Sequence, residues 1–170
     1  MITILVLLTG MCIILTVVRL YSEKTGKELI FKLTRDVMMI IYLGGLIYFT
    51  FFYGGRSNIA KTDFSFMPVF WNSLTKWRYD YFTHSSLMNV MLFIPLGFLL
   101  PQFKEIKFTR ELKWWQALLI AFAVTLLIES LQLALHRGAF QIDDLIRNTT
   151  GGIIGFMITR LTDRKSGSSL

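Results

Sequence analysis

The sequence contains little charge for its length: of 170 residues, 17% are charged and 54% are hydrophobic. A typical globular domain is about 25% charged, so the composition argues against a water-soluble fold. The single cysteine, Cys12, excludes an internal disulfide and a cluster of thiolate ligands. Two histidines, His84 and His136, are too few for most zinc-hydrolase sites, and no phosphate-binding glycine loop or nucleophile-elbow motif occurs. We therefore expect no metal and no cofactor.

Apolar stretches separated by polar connections predict an all-α, polytopic transmembrane helix bundle. At about 1.5 Å per residue, a stretch of about 20 residues crosses the roughly 30 Å apolar core of a bilayer. The first stretch has no positive region before it and no small-residue cleavage site, so we interpret it as an uncleaved helix rather than a secretory signal. Pro95 is expected to interrupt the third stretch. The whole chain, residues 1–170, is predicted to be one multi-pass domain of the cell membrane, with spans at about 1–18, 37–53, 87–101, 114–135 and 148–161.

The net charge of +7 has two common origins, nucleic-acid binding and the cytoplasmic loops of a membrane protein. Twelve of the 18 Lys and Arg lie in residues 19–36, 102–113 and 160–170, which follow the first, third and fifth spans. The positive-inside rule then predicts the N-terminus outside and the C-terminus inside. Nucleic-acid binding would need the cations on one surface. Because they lie in the segments between the spans instead, we expect no nucleic-acid partner. The aromatic loop of residues 54–86 is interpreted as an interfacial belt.

Polar residues inside the fourth span predict a stripe on one helix face. Thr125, Glu129, Gln132 and His136 are spaced i, i+4, i+7 and i+11, so they share a face. A charged side chain at the centre of a membrane helix costs about 2.5 to 3.5 kcal/mol on insertion scales. The stripe must therefore face the bundle or a wet cavity.

The last span repeats the pattern, with Asp144, Asn148, Gly152 and Gly155 spaced i, i+4, i+8 and i+11 on one face. Gly151 and Gly155 form a Gly-x-x-x-Gly motif, which lets another helix approach closely. We call this small-residue surface the Gly-x-x-x-Gly seam. It could also pack against a second copy of the chain, which would give an oligomer.

With the predicted orientation, the polar residues of spans three, four and five meet at the outer leaflet, where we expect a pocket with Arg137 as the cation near the carboxylates. Structural roles compete with this hypothesis: Asp143 as a helix cap, Asp144 as the ion-pair partner of Arg137, and His136 as a solvated side chain. Asn89 and Gln132 could be interhelical hydrogen-bonding residues. The candidate binding residues are Asn89, Glu129, Gln132, Arg137, Asp143, Asp144 and Asn148.

Three blocks of sequence carry a resemblance to a known family. Residues 89–101 (NVMLFIPLGFLLP), 128–133 (IESLQL) and 137–155 (RGAFQIDDLIRNTTGGIIG) resemble, in this order, blocks of the VanZ family, and residues 66–70 (FMPVF) resemble its shorter Pro-Phe motif. The resemblance covers roughly residues 65 to 160. Gln141 stands where family members often have Asp, which puts a three-carboxylate site in doubt.

The resemblance implies a small bacterial membrane protein associated with resistance to the lipoglycopeptide teicoplanin. In the first hypothesis, the outer pocket binds an amphiphile without catalysis, either the antibiotic or a lipid-linked cell-wall precursor. In the second, the chain is an intramembrane enzyme, with Glu129 and Asp144 as an acid–base pair and Arg137 as a phosphate or oxyanion clamp. No nucleophile arrangement accompanies the carboxylates, so binding is preferred and catalysis is left open. A transporter ranks third, because five spans contain no obvious inverted repeat.

Overall fold

The computed structural model describes residues 2–53, 61–63, 81–137 and 139–167. The all-α prediction is confirmed, with six helices in the described part of the chain. Each of the five predicted apolar segments lies in a long helix or in the turn that continues it. Most of the aromatic loop, the 66–70 motif and the side chain of His84 lie outside the described residues. The elements in chain order are α1 (Ile2–Thr25), α2 (Glu28–Tyr48), a π-helical turn (Phe49–Tyr53), β1 (Lys61–Asp63), α3 (Tyr81–Leu99), a 3₁₀ turn (Leu100–Gln102), α4 (Lys107–Arg110), α5 (Trp114–Ala134), β2 (Ala139–Gln141) and α6 (Ile142–Gly167).

The polar segment of residues 19–36 is helical at both ends and turns only briefly between α1 and α2. Gly26 adopts a φ of 68° there, a conformation that glycine accepts without steric cost. Ion pairs with helical spacing, such as Arg19 to Glu23 at 2.9 Å, support the polar helix ends. Hydropathy locates the apolar part of a helix and not its ends, and this is why α1 and α2 exceed the predicted spans.

The third helix continues through Pro95, so the predicted interruption there is wrong. Pro95 is fully buried inside α3. Proline is tolerated inside such a helix because neighbouring groups and small local adjustments satisfy the freed backbone carbonyl.

Helices α3 and α6 run parallel and touch through their backbones. A Cβ atom on Gly151 would lie 2.0 Å from the carbonyl oxygen of Val90, and one on Gly155 would lie 1.9 Å from that of Ile94. Real Cβ contacts are never this short, so only glycine allows the two helices to approach this closely. The Gly-x-x-x-Gly seam is thus filled by α3 of the same chain.

Helix α5 packs antiparallel on the other side of α6, again through a glycine. A Cβ atom on Gly152 would lie 2.6 Å from the Cβ of Ala121. Helices α1 and α2 pack against α3, where Leu15, Tyr42 and Phe93 belong to one buried cluster. Helix α6 therefore lies between α3 and α5 and contributes to both of the close helix contacts.

The outer surfaces of the long helices are apolar. Ile40 on α2, Leu127 on α5 and Leu161 on α6 are 59% to 71% exposed, as expected for side chains that face lipid. Within the described residues, α5 is the one helix that is long and apolar enough to pass as a membrane span, and Leu87–Gln102 is a shorter apolar helical stretch.

Two short strands form a pair that the sequence did not predict. β1 and β2 are parallel, with Lys61 opposite Ala139 and Asp63 opposite Gln141. The pair ties the segment between α2 and α3 to the connection that leads into α6. It thereby fixes backbone next to the first turn of α6, where the carboxylates lie.

Candidate functional site

Thr125 and Glu129 lie one turn apart on α5 and are buried in the bundle, with 0% and 3% of their surfaces exposed. The Oε2 atom of Glu129 accepts a hydrogen bond of 3.1 Å from the backbone N–H of Gln141. The stripe predicted on this helix therefore faces inward, and its carboxylate is held by the strand that precedes α6.

Asn148 on α6 reaches the same region from the other side. Its Nδ2 atom donates a hydrogen bond of 2.7 Å to Oγ1 of Thr125, which joins α6 to α5. Asn148 is 5% exposed, and its Oδ1 atom has no hydrogen-bond partner among the described residues. Buried amide oxygens are normally satisfied, so this acceptor is available to a donor from outside the described chain.

The carboxylates of Asp143 and Asp144 share one cation, Arg147. The guanidinium Nη2 atom lies 3.1 Å from Oδ2 of Asp143 and the Nη1 atom 3.0 Å from Oδ1 of Asp144. The three side chains are 12%, 18% and 15% exposed in the order Asp143, Asp144, Arg147. The side chain of Asn89 on α3 lies near the carboxylate of Asp144. We call Asn89, Thr125, Glu129, Asp143, Asp144, Arg147 and Asn148 the outer polar cluster.

Arg147 was missed by the sequence analysis, which assigned Arg137 to the carboxylates. The guanidinium of Arg137 instead lies over the ring of Phe52, 5.8 Å from its centroid. The i+3 and i+4 spacing of Arg147 from Asp144 and Asp143 is the signal that could have identified it.

Gln132 and His136 lie at the edge of the outer polar cluster. Gln132 donates a hydrogen bond of 2.9 Å from Nε2 to the carbonyl of Thr50, which fits the interhelical role considered for it. The helix ends at Ala134, and His136 has a φ of 54° and is exposed. Its predicted place on the helical stripe is therefore wrong.

A second polar centre lies at the opposite end of the bundle, around Arg35. Its side chain, 5% exposed, lies 2.8 Å from Asp36 and 2.7 Å from Glu105, donates a hydrogen bond of 2.9 Å to the carbonyl of Gln102, and stacks over Phe103 at 4.0 Å. The sequence did not indicate this centre, because residues 19–36 are expected to be a polar connection outside the membrane that follows the first span.

The pKa of the Glu105 carboxyl lies below its ordinary value. Slight burial raises the pKa, but a backbone hydrogen bond, the hydrogen bond from Arg35, and the positive charges of Arg35 and Lys32 together lower it further. The ion pair is therefore intact at neutral pH, and its contribution to stability is lost as the pH falls through the lowered pKa.

The outer polar cluster places three carboxylates, two amide side chains, one hydroxyl and one guanidinium group where α3, α5 and α6 meet. Among the described residues, no group of three or more His, Cys, Asp or Glu side chains could hold a metal ion. The arrangement can bind a polar or charged group that approaches past the partly exposed Asp143, Asp144 and Arg147.

The outer polar cluster lies in a part of the chain that matches a known protein family. A family model described as VanZ/LLP1 matches residues 37–163, a range that begins well before the three sequence blocks and includes the whole outer polar cluster. No curated protein and no solved structure matches the chain.

Proposed function

The chain belongs to the VanZ/LLP1 family of membrane proteins, and on that premise we propose that it contributes to teicoplanin resistance by binding an amphiphile in the outer polar cluster. The amphiphile is either the lipoglycopeptide itself or a lipid-linked cell-wall precursor. One observation carries the proposal: partly and fully buried polar side chains from α3, α5 and α6 converge at one end of an otherwise apolar bundle. Such groups are costly in a membrane and are kept where they serve a site.

The proposal needs the outer polar cluster to face outward, which follows from a five-span bundle with the N-terminus outside. The helix contacts support alternating directions, because α3 runs parallel to α6 and both run antiparallel to α5. The opposite end contains Arg19, Lys32, Arg35 and Lys104, as expected for a cytoplasmic surface.

We expect this orientation to appear in cysteine labelling. In a Cys12→Ser background, His136→Cys places a thiol at the end that contains the outer polar cluster and Lys107→Cys places one at the cationic end, both at exposed positions. A membrane-impermeant maleimide should label His136→Cys in intact cells and Lys107→Cys only after permeabilisation. The reverse pattern would exclude an outward-facing cluster.

Loss of the Glu129 carboxyl group should remove protection. Glu129→Gln keeps the size of the side chain and an oxygen acceptor for the Gln141 N–H, but it cannot ionise or exchange a proton. We expect the minimum inhibitory concentration of teicoplanin to fall toward that of cells without the protein, and Asn148→Ala to act in the same direction.

Ser130→Ala is the matched control on α5, because Ser130 is exposed and, among the described residues, donates a hydrogen bond only to the carbonyl of Leu126 on its own helix. Membrane levels of each variant are measured by immunoblotting. Full protection by Glu129→Gln at the parental level would show that the outer polar cluster is not the site.

The enzyme hypothesis is the second candidate, and the burial of Glu129 favours it. Glu129 is 3% exposed, and its hydrogen bond from Gln141 holds it beside the first turn of α6, where Asp144 lies, an arrangement suited to an acid and its charged partner. Arg147 would then replace Arg137 as the clamp for a phosphate or oxyanion. Purified protein incubated with lipid-linked precursors separates the two candidates: a product lost in Glu129→Gln supports catalysis, and saturable binding without a product supports binding.

A further inference from the structure

We propose that the outer polar cluster binds the ammonium group of an amphiphile, with Glu129, Asp144 and Asn148 as its acceptors. This inference rests on the proposed function and specifies the chemistry of the ligand. It can fail by itself, because the cluster could bind an amphiphile through a neutral or anionic group instead.

The outer polar cluster contains more acidic than basic side chains. Three carboxylates, Glu129, Asp143 and Asp144, accompany one guanidinium group. Arg147 bonds to both aspartates, and among the cationic side chains that the structure describes, none forms an ion pair with Glu129. An anionic ligand would meet this excess of negative charge, whereas a cationic ligand would be attracted by it.

The outer polar cluster also has more hydrogen-bond acceptors than donors to fill them. An ionised carboxylate offers about four acceptor positions and no donor, yet Glu129 receives one described bond, from Gln141. The Oδ1 atom of Asn148 is buried and has no partner in the described chain, while its Nδ2 atom is fixed by Thr125. In this orientation of the amide, the atom of Asn148 without a described partner is an acceptor, and a donor would complete it.

An ammonium group fits these acceptors better than a metal ion does. It carries three donors and a positive charge, and Glu129, Asp144 and Asn148 supply one acceptor side chain each. A calcium ion requires six to eight oxygen ligands, and the hydrogen bond from Arg147 already uses part of Asp144.

The location suits an amphiphile rather than a free amine. Asp144 is 18% exposed, so the cluster is reached from the end of the bundle. Leu135 and Ile146, which are 55% and 45% exposed, provide apolar surface at the same end. A headgroup can bind the outer polar cluster while its chain stays in the surrounding lipid.

The test compares dodecylamine with N-dodecylacetamide, which has the same alkyl chain but no charge. Binding to the purified full-length protein is measured in phosphatidylcholine nanodiscs. Loss of a hydrogen bond to a charged group should weaken binding about tenfold or more, so we expect the parent to prefer the amine by at least that factor. Glu129→Gln and Asn148→Leu should each remove most of the preference, and Ser130→Ala should retain it.

Thermal unfolding of each variant shows whether the bundle is intact, and Asp144→Asn provides a third acceptor variant if Asn148→Leu does not fold. Equal affinity for amine and acetamide, or a preference unchanged in Glu129→Gln, would overturn the inference. Competition by calcium or magnesium ions at equal strength would also overturn it in favour of a metal site.

Two further comparisons distinguish the sources of the amine. Preference for phosphatidylethanolamine over phosphatidylcholine indicates a lipid headgroup, and stronger binding of teicoplanin than of its N-acetylated form indicates the antibiotic. If Glu129→Gln abolishes protection in cells while no amine preference is found in nanodiscs, the ammonium inference fails and the proposed function stands. If the protein prefers the amine in nanodiscs but Glu129→Gln leaves protection in cells unchanged, the ammonium inference stands and the proposed function fails.

Discussion

Replacing Gly155 with alanine forces α3 away from α6 and should destabilise the chain by about 3 kcal/mol, near the upper end for added volume in a packed core. The new methyl group would lie 1.9 Å from the carbonyl oxygen of Ile94 and 2.7 Å from the backbone nitrogen of Phe98. Backbone atoms cannot rotate aside as a side chain can, so a whole helix must move. The melting temperature of the purified protein should fall by roughly 6 to 12 °C, and Gly151→Ala should behave similarly.

Gly44→Ala is the matched control, because a Cβ atom there has no neighbour within 4 Å. Alanine is the better helix former by up to about 1 kcal/mol, so this variant should be neutral or slightly stabilised. Equal destabilisation by Gly44→Ala and Gly155→Ala would show that helix propensity, and not the close contact between α3 and α6, explains the loss.

Replacing Arg35 with leucine should cost about 2 to 3 kcal/mol, within the range for hydrogen bonds to charged groups. The substitution removes the bonds to Asp36, Glu105 and the buried end of the 3₁₀ turn at Gln102. Both acidic partners are nearly half exposed, so water can solvate them and the cost stays below that of a fully buried pair. Arg35→Lys should recover only part of the loss, since an ammonium group lacks the planar fork.

Lys32→Leu is the control for Arg35→Leu. Lys32 shares Glu105 with Arg35 but is 42% exposed and lies 3.6 Å from the carboxylate, so its removal should cost less than about 1 kcal/mol. Thermal unfolding near neutral pH measures both variants. Equal losses would contradict a specific role for Arg35 in joining α2 to the end of α3.

Helical spacing predicted the inward faces of α5 and α6 correctly. Thr125 and Glu129 share the buried face of α5, and Asn148 and Gly155 share faces of α6 that meet other helices. Periodicity identifies a face because it depends on one helix alone. The identity of the neighbour depends on the whole bundle, and for this reason α3 could not be named from the sequence as the helix that fills the glycine seam.

The incorrect assignments concern residues near the ends of helices. Arg137 was placed with the carboxylates on the assumption that nearness along the chain means nearness in space, whereas Arg147 lies on the same helix as its partners. His136 was placed on a stripe that ends before it. Arg35 lies close to a predicted span boundary, where a charged residue is expected to face solvent. For His136 and Arg35, a change of one turn in the helix end moves the side chain between water and the bundle.

The strand pair between residues 61–63 and 139–141 has a consequence for the order of assembly. β1 is synthesised before α3 and α5, but its partner follows both, so the pairing must wait until those helices are in place. Gln141, which pairs with Asp63, also donates the hydrogen bond to Glu129. The buried carboxylate of Glu129 thus gains its backbone partner only late in biosynthesis, after α5 has been synthesised.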